Sequence, residues 1–61
     1  ITYEKGIRVR YDINGMYIYG SVINDKGKKI HMITDKGEKK LIDKKIIEKV
    51  EDGEPEPEPE Q

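Results

Sequence analysis

The chain contains no cysteine, no tryptophan and no phenylalanine. Without cysteine, disulfide staples and thiolate metal sites are excluded. Without Trp or Phe, the four tyrosines must supply all aromatic packing and stacking. No apolar run approaches the roughly 18 residues that a membrane-crossing helix needs, and no signal-peptide-like stretch precedes the first charges. The expectation is a cytoplasmic, intracellular protein with no membrane partner. No segment sustains a helical period of apolar residues. Histidine occurs once, as His31, with no second soft ligand or nucleophile beside it to make a metal or catalytic constellation. Asp12, Asp25, Asp35 and Asp43 sit where turns need them, and no glycine loop precedes a helix to cradle phosphate. Neither an enzyme, a metal, a cofactor nor a small-molecule substrate is expected.

What is present is small and electrically divided. At 61 residues one domain is expected, with a marginal core, because short chains bury a low fraction of their surface. Because an initiator methionine is not normally removed before isoleucine, Ile1 points to an excised or processed part of a longer chain. All three prolines lie in the final Glu-Pro run, Glu54 to Glu60. From Glu51 onward there are six acidic residues and no basic one, so residues 1–50 hold all twelve Lys and Arg against seven acids. The body is basic and the tail acidic. A strict Glu-Pro alternation cannot pack a core, so residues 51–61 are expected to be a disordered or polyproline-like tail. It serves as a linker or as a polyanion competing for the basic body. The expected organisation is an N-terminal extension or edge strand over 1–5, a folded body over 6–50 and the tail.

The body reads as β-strands. Ile7-Arg8-Val9-Arg10-Tyr11 alternates with the period of a half-buried strand. Asn14-Gly15 is a strong hairpin signal, since a type I′ turn needs positive φ at both central residues. That turn pairs Ile13 with Met16, Tyr11 with Ile18, Val9 with Gly20 and Ile7 with Val22 on an inner face. Asp12–Tyr17, Arg10–Tyr19 and Arg8–Ser21 fall on the outer face, and a slip of one residue would scramble the sorting. Two Asp-Lys-Gly turns follow, at 25–27 and 35–37. Three-residue loops at both put Ile30 opposite Val22 and Met32 opposite Gly20, then Ile42 opposite Ile30 and Lys40 opposite Met32, with Leu41 outward. Asp43-Lys44-Lys45 has room for a single 3₁₀ turn, and Ile46–Val50 closes as a short strand.

Five short strands with tight turns and a 3₁₀ turn before the last resemble an SH3-like small β-barrel over Gly6 to Val50. Within that superfold the pattern is similar to Tudor and KOW-type modules and to the C-terminal domain of retroviral integrases. Gly6-Ile7-Arg8-Val9-Arg10 resembles their opening strand, and Met16-Tyr17-Ile18-Tyr19-Gly20-Ser21-Val22 their second. Thr34-Asp35-Lys36-Gly37 and Ile42 to Ile47 resemble the third turn and closing strand. The resemblance implies an all-β binding module. It also carries a departure: methyl-reading Tudor domains have an aromatic between the Asp and Gly of the third turn, where this chain has Lys36. Tyr17 matches one cage position, yet a lysine in the wall repels a cationic ligand.

Two kinds of binding surface can be drawn from the pattern. Arg8, Arg10, Tyr17 and Tyr19 share the outer face of the hairpin, a combination suited to single-stranded RNA or DNA, with bases on Tyr and phosphate on Arg. The same four side chains can equally satisfy one another as cross-strand pairs on a solvated sheet. Lysines at the two Asp-Lys-Gly turns, Lys28, Lys29 and Lys39 among them, can add sequence-independent phosphate contacts or simply protect edge strands. Against this nucleic-acid reading stands a protein partner, or a second copy, held by an apolar strip of Ile23, Ile33 and Leu41, with Tyr19 beside it.

Overall fold

The computed structural model describes residues 2–51, so the expected extended or disordered tail lies outside the described residues apart from Glu51. The chain forms five strands: β1 (Arg8–Ile13), β2 (Met16–Asp25), β3 (Lys29–Thr34), β4 (Lys39–Asp43) and β5 (Ile47–Lys49). They make one antiparallel sheet in the order β4-β3-β2-β1-β5, so the last strand returns to the side of the first. Residues 2–5 are not a strand, contrary to one of the two expectations for the N-terminus. Instead Ile7 N–H reaches back to the Glu4 carbonyl at 3.1 Å, and Tyr3 packs against the core.

The first hairpin follows the expected register at every pair from Arg8–Ser21 to Ile13–Met16. Asn14 and Gly15 take φ of 52° and 82°, the left-handed pair that a type I′ turn demands. Asp12 fastens the turn by accepting the Gly15 N–H at 2.9 Å. The third turn also matches: Thr34 N–H meets the Glu38 carbonyl at 2.8 Å, Met32 lies opposite Lys40 and Leu41 opposite His31.

The turn between β2 and β3 differs. Val22 pairs with Met32 rather than Ile30, and Gly20 with Thr34 rather than Met32. Asp25 stays within β2 opposite Ile30, which leaves Gly27 and Lys28 at the tip, where Lys26 N–H bonds the Lys29 carbonyl at 2.9 Å. Loop length alone would then turn His31 inward. A bulge between Val22 and Asn24 absorbs Ile23 and restores the parity, so Ile30 and Met32 still reach the core. The apolar sorting was legible in the sequence; the bulge that achieves it was not.

The core is Val9, Tyr11, Val22, Ile30, Met32 and Ile47, with Val50 beside it and Tyr3, Ile7, Ile18 and Ile42 half-buried around it. Val9, Ile30 and Met32 are completely buried, each contributing about 1.5–3 kcal/mol of transfer free energy. Two side chains expected inside are not. Ile13 and Met16 remain 49% and 68% exposed, because the hairpin tip runs past β3 and β5 and nothing covers it. After β4 a single turn, closed by Ile46 N–H to the Asp43 carbonyl at 3.1 Å, swings Ile47 inward and leaves Ile46 exposed. This turn has the i→i+3 spacing of 3₁₀ structure, but the described residues contain no helix.

Asp25 ties three separate segments together. Its carboxylate accepts the Tyr3 N–H and the Gly27 N–H, each at 2.8 Å, and pairs with Lys44 Nζ at 2.8 Å. Lys44 also lies over the Tyr3 ring, 5.8 Å from its centre. The Lys44 bond, reinforced by the two amides, holds the Asp25 carboxyl well below the usual carboxylate range. Its contribution to stability is therefore complete above the unfolded value, about 3.9, and fades as pH falls through and below it.

Two predictions follow from these contacts. A Cβ on Gly20 would lie 2.3 Å from the Ile33 carbonyl oxygen and 2.5 Å from Met32 Cε. Gly20→Ala should therefore cost about 1–3 kcal/mol, the usual range for overpacking, read as a lower urea midpoint with unchanged slope; an unchanged midpoint refutes the constraint. For Asp25→Asn the midpoint should fall below wild type at neutral pH. The difference should then shrink progressively as pH falls below about 5, because the Asp25 carboxyl takes up its proton in the unfolded wild-type chain well before it does in the folded one; a pH-independent difference refutes the charge-based tie.

Candidate nucleic-acid interface

Alternation along β1 and β2 puts Arg8, Arg10, Tyr17 and Tyr19 on one face, as expected. The structure brings all four together. Arg10 lies over the Tyr17 ring with its guanidinium carbon 4.5 Å from the centre, and Arg8 approaches Tyr19 at 5.7 Å. The two rings are tilted by 56° with centres 6.3 Å apart. Arg10 Nη1 also donates to the Tyr19 hydroxyl at 3.4 Å.

Both arginines are also held by carboxylates from distant parts of the chain. Arg8 makes a bidentate pair with Asp35, with Nη2 to Oδ2 at 2.7 Å, and Arg10 Nε bonds Glu48 Oε1 at 2.7 Å. The Arg8 bonds hold the Asp35 carboxyl below its ordinary range, against the opposing cost of partial burial. Both pairs are open enough to water that screening limits their contribution to stability. Their larger effect is orientation, since a guanidinium fixed at its fork holds the ring beneath it.

The lysines divide into two groups. Lys28 and Lys29 lie at the β2–β3 turn, whereas Lys36, Lys39 and Lys40 lie at or beside the β3–β4 turn. These turns are at opposite ends of β3, about 20 Å apart for a strand of this length. Lys28 and Lys29 are thus remote from the hairpin tip, while Lys39 completes a cross-strand row running Arg8, Ser21, Ile33, Lys39.

At this end an open groove of about 350 Å³ runs along the edge of β2. Pairing with β3 begins only at Gly20, so residues 16–19 have a strand partner on the β1 side alone. Tyr11, Ile13 and Ile18 line the groove from the inner face and Tyr17 and Tyr19 from the outer; Thr34, Asp35, Lys36, Glu38 and Lys40 form the far wall. Lys36 therefore lines the same groove as Tyr17, from the opposite wall, where a cationic ligand would meet it. Glu38 reaches Lys40 only loosely, at 3.9 Å.

In the sequence only the resemblance put Lys36 near Tyr17; that Thr34, Asp35, Glu38 and Lys40 join it in one wall follows only once β3 and β4 fold back beside β2. Glu48 was missed for the same reason: its partner Arg10 lies 38 residues away in sequence. The proposed protein-binding residues lie on three successive strands of the sheet. Leu41 is 53% exposed on edge strand β4, Ile33 is half-buried one row away, and Ile23 is half-buried at the bulge. Among the described residues no group of His, Cys, Asp or Glu is arranged to hold a metal ion, and no helix is long and apolar enough to cross a membrane. Comparison with family models, curated proteins and solved structures returns no match.

The stacking of Arg10 on Tyr17 has a direct signature. The Arg10 δ-protons should resonate upfield of ordinary arginine values through the ring current. That displacement should vanish in Tyr17→Leu and persist in Lys28→Ala, measured by NMR; ordinary Arg10 shifts in the wild-type chain refute the stack.

Proposed function

We propose that this chain is a non-enzymatic binding module of the SH3-like small-barrel kind, and that its groove at the hairpin tip takes single-stranded nucleic acid. The observation that carries the reading is the groove itself, with two tyrosine rings on one wall and Lys36 and Lys40 on the other. Bases stack on aromatic faces regardless of sequence, while cations a few ångströms away follow the phosphates. Asp35 lies in the same wall, but its charge is already matched by Arg8. The return of β5 to the side of β1 supports the small-barrel assignment, since it brings the end of the sequence back to its first strand. On this reading Arg8 and Arg10 chiefly fix the tyrosines, and Lys36, Lys39 and Lys40 supply the phosphate contacts. Lys28 and Lys29 stand outside the site.

A protein partner is the competing reading, favoured by Leu41 exposed on a strand whose outer edge is unpaired among the described residues. Salt separates the two. Engagement of three lysines predicts that log K falls with log salt at a slope of about −2 for a single strand. Tyr17→Ala should weaken binding of a short oligonucleotide by roughly 1–3 kcal/mol, the value of one stacked base, and Lys36→Glu should also weaken it, whereas Lys28→Glu should change little. Fluorescence anisotropy on the full chain tests all three. Absence of binding at low salt overturns the nucleic-acid reading, and self-association insensitive to salt and lost in Leu41→Glu would establish the other.

A further inference from the structure

We propose that the outer edge of β4 pairs with the same edge of a second copy of this chain, antiparallel and centred on Leu41. The proposal deepens the protein-partner reading by naming the partner, and rests on that reading. The groove at the hairpin tip plays no part in it.

Main-chain direction defines the edge. β4 ends the sheet on its side, with β3 as its strand neighbour among the described residues. Thr34 N–H bonds the Glu38 carbonyl and Lys44 N–H the Lys28 carbonyl. In steps of two, Lys40 and Ile42 also turn their main-chain groups toward β3, and Lys39, Leu41 and Asp43 turn theirs outward. Of these outward groups, the Asp43 carbonyl already accepts the Ile46 N–H at 3.1 Å. The rest form a template for another strand.

The side chains on that edge complement themselves. Alternation puts Lys39, Leu41 and Asp43 on one face, with Leu41 exposed at its middle. A two-fold axis through Leu41 makes the contact isologous, the same patch serving both copies. Leu41 then meets the partner's Leu41, and each Lys39 meets the partner's Asp43. The two Leu41 residues exchange N–H and C=O, and each Asp43 N–H reaches the partner's Lys39 carbonyl. None of these bonds uses the occupied Asp43 carbonyl. The Asp43 carboxylate holds the Lys45 N–H through Oδ1 at 2.8 Å, which leaves Oδ2 for the lysine. On the other face, the Lys40 stem lies against the partner's Ile42.

Neighbouring registers lack this match. Main-chain direction requires the axis to pass through a residue, so the pairing shifts only when the axis moves to another one. An axis at Lys40 or at Lys39 sets that lysine against itself. An axis at Ile42 sets Lys40 against Lys44 and Lys39 against Lys45. Lysines at a sheet edge ordinarily block pairing. Here they block the adjacent registers and leave the one centred on Leu41 with opposite charges in apposition. Five residues a side make a small contact, in the transient class below about 1,200 Å². The dimer is therefore expected at high protein concentration, in exchange with monomer. Within it Lys39 faces a carboxylate instead of a phosphate, so dimer and oligonucleotide compete for that side chain.

The test uses the full chain without nucleic acid. Sedimentation of the wild type at rising concentration should show a monomer–dimer equilibrium. Exchange of the Leu41 amide should slow in parallel, while that of Lys40, turned toward β3, should not change. Lys39→Asp and Asp43→Lys each put like charges at both ion pairs, so each variant alone should dimerise several-fold more weakly. Mixed in equal amounts, the two variants again oppose unlike charges at both pairs. The mixture should associate more tightly than either component, with hairpin amide shifts at wild-type positions showing that both fold. A wild-type chain that stays monomeric overturns the proposal and leaves the protein-partner reading to a different protein. Association that survives both substitutions but is lost in Leu41→Glu overturns the register and keeps that reading. A mixture no tighter than its folded components also overturns the proposal.

Discussion

The structure depends on one close approach. β2 is shared between two neighbours, β1 along its first part and β3 along its second, and the transfer is made at Gly20. There the backbone of β3 comes so near that a single methyl group would overlap the Ile33 carbonyl and the end of Met32. Bare backbone at this point lets Met32 fill the core beneath the hairpin. β3 itself ends at Thr34, opposite Gly20, where the chain turns toward β4 and leaves β2 an open edge beyond.

Charge organises the surface more than it stabilises it. The pairs Arg8–Asp35 and Arg10–Glu48 connect the hairpin to the β3–β4 turn and to β5, and solvent screening keeps each of them modest. Their effect is to hold two arginines against two tyrosines, giving the face a defined shape. Asp25 works differently. It gathers the N-terminal segment, the β2–β3 turn and Lys44 around one carboxylate, and two of its three partners are backbone amides that would otherwise lack a strand neighbour.

Local chemistry accounts for what was legible in the sequence. Asn14-Gly15 admits essentially one kind of hairpin, and period-two alternation leaves one register that sorts apolar from polar side chains; both appear as expected. The third turn also followed from its Asp-Lys-Gly spacing. At the second turn the same three residues behaved otherwise, because Asp25 is bound by Tyr3 and Lys44 from outside the hairpin and a bulge at Ile23 offsets the change. Ile13 and Met16 alternate correctly yet stay exposed, since alternation assigns a face without saying whether anything covers it.

The sequence by itself determined an all-β body, the hairpin register and the grouping of Arg8, Arg10, Tyr17 and Tyr19 on one face, because turn chemistry and strand period act over a few residues. Only the tertiary structure decided that Asp35 and Glu48 hold the two arginines, and that Lys40 joins Lys36 opposite the tyrosines while Lys28 and Lys29 lie at the far end of β3. Those relations are made by strands returning from distant positions, and no local pattern encodes where they meet. The open edge of β2 belongs to the same class: it exists because β3 ends at Thr34, opposite Gly20, where the chain turns back toward β4.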